Sequence, residues 1–156
     1  MGRKLKAVVL AAWFLALCLA PPPAHAGAAN WVKVSVLYSH FDAAATTDTV
    51  TLYTTRGHQQ IHQVVMRRDT DFAGGSITTY TVSVGKSGAT SKYLPATDVF
   101  TGVSNGDTNA IVGQGAGSEA DGTALIATAT ASHNCSTATA GKLTFYILVS
   151  AYPPGA

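Results

Sequence analysis

The chain has 156 residues, with ten Lys and Arg against eight Asp and Glu, a formal charge of +2. Three of the basic residues, Arg3, Lys4 and Lys6, stand at the extreme amino end; without them seven basic side chains face eight acidic ones, a net charge of −1. That balance argues against a nucleic-acid binder, because duplex affinity rests largely on Lys and Arg neutralising phosphates.

After the three basic residues comes an uncharged apolar run, residues 7–20, then Pro21-Pro22-Pro23 and Ala24-His25-Ala26. A basic start, a short apolar stretch and small residues at the −3 and −1 positions make the order of a cleavable secretory signal, residues 1–26. The run is too short for the roughly 20 residues of a membrane-spanning helix. Lipidation at Cys18 is the alternative, but Leu17 precedes it where a small residue is wanted. The chain after the signal, residues 27–156, then forms a single domain that is secreted or periplasmic and does not insert in a membrane. It keeps one cysteine, Cys135, so it can form no internal disulfide despite an oxidising destination. Cys135 is expected to be buried as a small apolar residue, the alternative being an intermolecular bridge.

In residues 27–156 the apolar periods are those of strands. Val32, Val34, Val36 and Tyr38 alternate with Lys33, Ser35, Leu37 and Ser39, as on a half-buried strand. Segments 49–55, 60–68, 76–85, 110–113 and 123–132 follow, with a weaker one near 92–94. Between them stand Arg56-Gly57, Gly74-Gly75, Gly85-Lys86-Ser87-Gly88, Asn105-Gly106-Asp107, Asp121-Gly122 and Ala140-Gly141, all turn chemistry. Leu143, Phe145, Ile147 and Val149 form the last strand, and Tyr146 and Leu148 make its other face apolar as well, so it should be central. Threonine supplies 20 of these 130 residues and glutamate one, a balance that favours strands. The expected fold is all-β: a two-sheet antiparallel sandwich of seven to eight strands, jelly-roll or immunoglobulin-like. An outer-membrane barrel would need aromatic girdles, and only Trp31 is left after the signal.

Few residues suggest chemistry. His58 and His62 would share a helix face, but on a strand four residues span roughly 13 Å, too far for one metal ion. Asp69 and Asp71 before Gly74-Gly75 are a weak calcium candidate without a third carboxylate at EF-hand spacing, and turn-capping aspartates are the plainer reading. Gly113-Gln114-Gly115-Ala116-Gly117-Ser118 lacks the Lys-Ser/Thr ending and the following helix of a phosphate loop. Leu94-Pro95-Ala96-Thr97-Asp98 echoes a sortase signal but has Asp where Gly is needed. The alternating Thr and Ala of residues 127–132 lack the repeat that stacks an ice-binding ladder. No His-Glu-x-x-His motif occurs. No catalytic residue, metal or cofactor is assigned.

The residues 72–85, then Lys92-Tyr93 with Asp98-Val99-Phe100, then Gly117-Ser118-Glu119 and the stretch 124–131, resemble a group of small β-sandwich proteins. That group is associated with virion-structural regions of tailed phages and with uncharacterised exported proteins of environmental bacteria. The resemblance covers residues 33–150 and implies a fold and a non-catalytic habit. It carries over no functional residue. A secretory signal departs from the phage pattern, since virion proteins assemble in the cytoplasm.

These readings converge on a secreted, non-enzymatic binding or surface-structural module. Its partner is expected to be a glycan or protein surface met through the glycine-rich stretch 95–122, with Asp98, Asn105, Asp107, Asn109, Gln114, Glu119 and Asp121 as candidate contacts. The rival is a glycosidase-like hydrolase in which two of Asp42, Asp69, Asp71, Asp98, Asp107, Glu119 and Asp121 share a cleft. The outward Tyr146 and Leu148 are expected to be covered by a loop or by the tail Tyr152-Pro153-Pro154, with a homo-oligomer contact as the alternative; two such residues do not by themselves demand an interface. Trp31 and Tyr38 would extend that patch if the first and last strands are neighbours.

Overall fold

A computed structural model describes residues 28–101, 110–114 and 118–151. Nine strands lie in them: β1 (Asn30–Leu37), β2 (Thr47–Thr54), β3 (Gln59–Ala73), β4 (Tyr80–Lys86), β5 (Ala89–Asp98), β6 (Ala110–Gln114), the two-residue β7 (Ser118–Glu119), β8 (Ala124–Ala131) and β9 (Ala140–Ala151). The only helical elements among these residues are two single 3₁₀ turns, Tyr38–His40 and Cys135–Thr137.

The strands pair like the two arms of one long hairpin whose tip is the β4–β5 turn. β4 pairs β5, β3 pairs β6 and β7, β2 pairs β8, and β1 pairs β9, all antiparallel. Rolling that hairpin sends successive pairs to alternate sheets. One sheet runs β1-β9-β3-β6, with β7 also on β3, and the other runs β2-β8-β4-β5. This is the jelly roll. An immunoglobulin sandwich keeps its first two strands in one sheet, and here β1 and β2 lie in different ones.

Period-two alternation decides which side chains meet between the sheets. Leu143, Phe145, Ile147 and Val149 of β9 turn inward, as expected, with Val64 and Met66 of β3 and Val82 and Val84 of β4. At one end the core is aromatic: Phe72 of β3 stacks on Tyr80 of β4 at 4.5 Å between ring centroids, and Phe41, from the loop before β2, lies 6.2 Å and 6.3 Å from them. Gly141 passes directly over Phe72, and a Cβ there would stand 2.5 Å from the ring. The lone Cys135 is buried beside the Tyr80 hydroxyl.

Three local differences from the sequence reading have plain causes. β3 continues through Asp69 and Asp71 to Ala73, so these aspartates stand inside a strand and do not cap the glycine turn. β5 is a full ten-residue strand where only residues 92–94 had a strand-like pattern. It is a sheet edge of small polar residues with little apolar alternation, and Pro95 is tolerated there because an edge N–H need not pair. β4 begins at Tyr80, because the N–H groups of Thr78 and Thr79 go to the Ser132 hydroxyl instead of a ladder.

Candidate functional site

The outer face of the β1-β9-β3 sheet is where described side chains form an arrangement not needed by the core. The register sets three rows across it: Trp31, Leu148 and Gln63; Lys33, Tyr146 and Val65; Ser35, Thr144 and Arg67. Lys33 Nζ lies 5.9 Å and Arg67 Cζ 5.8 Å from the centroid of the Tyr146 ring, so two cations from the flanking strands cover this tyrosine. Arg67 donates from Nε to Asp69 Oδ1 at 2.6 Å, and Thr144 donates to Asp69 Oδ2 at 2.5 Å. Burial pushes the Asp69 carboxyl upward, but the bonds from Thr144 and Arg67 outweigh it and hold the group below its usual range. The Ser35 hydroxyl, 3.3 Å from Thr144 Oγ1, and the His62 ring, 2.7 Å from Ser150 Oγ, extend the polar part of the face. Trp31 is 53 % exposed at its margin, beside the half-buried Leu148. Since β1 and β9 are neighbours, Trp31 does extend the outward apolar patch. Tyr38 instead packs against the core from the first 3₁₀ turn. Residues 152–154 lie outside the described residues.

A second cluster ties the sheets together. Glu119, on β7 of the first sheet, is 2 % exposed and accepts hydrogen bonds from Lys86 at 2.8 Å, from Lys92 and from the Tyr93 hydroxyl, all on β4 and β5 of the second. Burial would raise its carboxyl, but the Lys86, Lys92 and Tyr93 bonds prevail and hold it to about 2. Burial, and then the bond to Glu119, push the Tyr93 phenol upward. The carboxylate is thus committed internally and offers no free oxygen pair to a ligand.

The other candidates are dispersed. Asp98 accepts from the Phe100 N–H at 2.9 Å and Asp121 from the Gly57 N–H at 2.6 Å, both as turn caps. Asp71 pairs with the buried Arg68 at 2.9 Å, so Arg67 and Arg68 serve opposite sides of β3, as two adjacent strand residues must. Gln114 ends β6 opposite Gln63. Asn105, Asp107 and Asn109 lie outside the described residues. Asp42 is exposed. Asp69 and Asp71 are held by different arginines and do not converge on a calcium loop, and among the described residues no three His, Cys, Asp or Glu side chains group around a possible metal position. His58 is exposed in the bend before β3. The sequence reading missed the Tyr146 stack and the Glu119 cluster because both depend on cross-strand register. Their traces in the sequence were Lys33 and Arg67 among apolar strand residues, and one glutamate in a chain where aspartate is the usual acid.

No family model matches the chain, and neither does any curated protein sequence. Solved structures do. A chain of the cyanophage Pam1 capsid asymmetric unit superposes with a TM-score of 0.58 at 18 % identity, over 85 % of this chain and 91 % of that one. A chain of the Ralstonia phage GP4 capsid gives 0.51 at 18 % identity, over 85 % and 90 %. One from the acid-stable capsid of Helicobacter pylori bacteriophage KHP30 gives 0.50 at 13 %, over 80 % and 89 %. At such identities the likeness is one of fold. It bears out the resemblance to β-rich virion proteins of phages, and it extends over nearly the whole of each neighbour.

Proposed function

We propose that this chain is a structural β-sandwich module that works by assembling with other proteins outside the cytoplasm. The observation that carries the reading is the outer face of the β1-β9-β3 sheet. Ser35, Thr144, Asp69 and Arg67 are bonded to one another on it, and it presents an exposed tryptophan at the margin of a row whose neighbour is an aromatic ring covered by two cations. Aromatic and arginine side chains of this kind anchor protein interfaces. The chains of similar size and fold in the three phage capsids support an assembling role for the fold. The hydrolase alternative has less to rest on: Asp69 and Asp71 are tied to arginines, Asp98 and Asp121 to backbone N–H groups, and Glu119 to two lysines and a tyrosine.

A protein surface suits the face better than a glycan; in the stretch 95–122, Asp98 and Asp121 each commit one carboxylate oxygen to a backbone N–H. Export rests on the signal-like order of residues 1–26. Two measurements test the reading. Amino-terminal sequencing of the protein recovered from medium or periplasm should begin at Gly27, and retention in the cytoplasm with Met1 in place would overturn export. Native-mass measurement of the recovered material should give complexes heavier than one chain. A strict monomer that binds a glycan array, or turns over substrates in a hydrolase panel, would overturn the structural role.

A further inference from the structure

Among the described residues two large apolar side chains stay exposed, Trp31 at 53 % and Leu37 at 41 %, and both stand on β1 with the same strand parity. β1 is the edge of its sheet: β9 pairs it on one side, and no described strand pairs it on the other. The Leu37 N–H goes to the His40 ring at 3.3 Å, so it is not spent on β9. By the alternation of an antiparallel ladder, the peptide groups of Ser35, Lys33 and Trp31 face the same open side. Edge strands are normally guarded by shortness, proline, bulges or charge. β1 has eight residues, no proline and no bulge against β9. Its one charge, Lys33, is drawn sideways over Tyr146.

Building on the assembly reading, we propose that β1 is the contact with a second copy of this chain, the two strands pairing antiparallel about a two-fold axis through Val34. That register sets Trp31 of each copy opposite Leu37 of the other, Lys33 opposite Ser35, and Val32 opposite Val36. Each exposed apolar side chain meets an apolar partner, and no charge meets its like. Moving the axis to Lys33 would oppose two lysines, which a cross-strand pair disfavours. Moving it to Ser35 would carry Trp31 past Leu37. In the Val34 register the outward peptide groups of Lys33 and Ser35 exchange hydrogen bonds, and the two β1-β9-β3 sheets become one continuous sheet. The two apolar pairs and one short ladder bury less than the roughly 1,200 Å² of a stable complex, so the dimer is weak and concentration-dependent.

Sedimentation velocity on the purified protein from micromolar to millimolar concentration tests this. The wild type is expected to pass from monomer to dimer. Lys33→Pro is expected to stay monomeric with an unchanged circular-dichroism spectrum, because the N–H it removes faces the open edge and leaves the β9 ladder intact. Val34→Cys is the second variant. At the axis the two Cα atoms of a non-hydrogen-bonded pair stand about 4.5 Å apart, within disulfide reach, so mild oxidation should yield a covalent dimer. Thr51→Cys, on the edge strand β2 of the other sheet, should not cross-link. A wild type that stays monomeric with Val34→Cys uncross-linked overturns the β1 contact. If native-mass complexes with other proteins persist in that case, the assembly reading survives; if they are absent too, both fall. A dimer that persists in folded Lys33→Pro, or cross-links through Thr51→Cys instead, overturns the β1 contact while supporting assembly.

Discussion

Glu119→Gln tests how the two sheets are held together. The carboxyl titrates at about 2 in the folded protein against an ordinary value of 4.5, a gap of about 2.5 pH units. At 1.36 kcal/mol per unit this corresponds to about 3 kcal/mol of stability. Lys86 and Lys92 are 35 % and 26 % exposed and therefore partly screened by solvent, which brings the expected figure to about 2–3 kcal/mol. Because the folded-state value is depressed, the contribution is fully present above pH 4.5 and is lost as pH falls from 4.5 toward 2. The amide keeps one acceptor oxygen, enough for Lys92 and Tyr93, but turns an NH2 donor toward Lys86 as a protonated carboxyl would turn its O–H, so beyond the protonated acid the substitution removes mainly the charge. Urea unfolding of both proteins at pH 7, 4 and 2.5 should show wild type ahead by that amount at pH 7, by less at pH 4, and by little at pH 2.5. Taking the difference at each pH cancels the titration of Asp69 and the other shared carboxylates. A gap that is the same at pH 2.5 as at pH 7 would falsify the electrostatic account and leave only a packing role.

The remaining predictions concern the core and the sheet surface. Gly141→Ala drives a methyl into the Phe72 ring at a backbone φ of +142°, which alanine rarely adopts, and should cost about 3 kcal/mol in a denaturant titration. Gly85→Ala collides with the carbonyl of Ala89, where the β4–β5 hairpin folds back on itself, and should lower the melting temperature by roughly 10 °C or prevent folding. Thr128→Val is expected to do the reverse: the Thr128 hydroxyl is buried without a hydrogen-bond partner, and its replacement by a methyl of the same shape should stabilise by about 1 kcal/mol. A loss of stability on Thr128→Val would mean that the hydroxyl has a partner not seen in this structure.

The sequence carried the fold class because the signals for it are local. β1 and β9 alternate cleanly, and glycine pairs punctuate the chain where strands must reverse. Which sandwich it is could not be read there. The jelly roll is defined by β1 lying beside β9 and β2 beside β8, contacts between residues roughly 110 and roughly 80 positions apart in the chain, and no period in a single segment encodes them. The outward Tyr146 shows the same division. Its parity on β9 was legible, and so was the need for a cover. Lys33 and Arg67 lie over its ring, and they reach it only because β1 and β3 flank β9 in one register. Glu119 shows where loop reasoning goes astray. A lone acid in a glycine-rich stretch has the composition of a ligand contact, yet β7 docks on β3 and turns this residue toward the lysines of the opposite sheet.

The signal-like amino end and the capsid-like fold pull in different directions only if a fold is taken to specify a location. A jelly roll closes its core with two sheets and leaves its working surfaces at sheet edges, outer faces and loop ends. In this chain one such edge, β1, carries both of the large apolar side chains exposed among the described residues, and the adjoining face carries the stacked Tyr146. Those are the surfaces on which the proposed assembly rests. A capsid shell and an exported surface layer make the same physical demand on their parts, a rigid block with complementary edges and a weak self-contact that gains strength through repetition. The proposed β1 contact can be tested without first deciding between them.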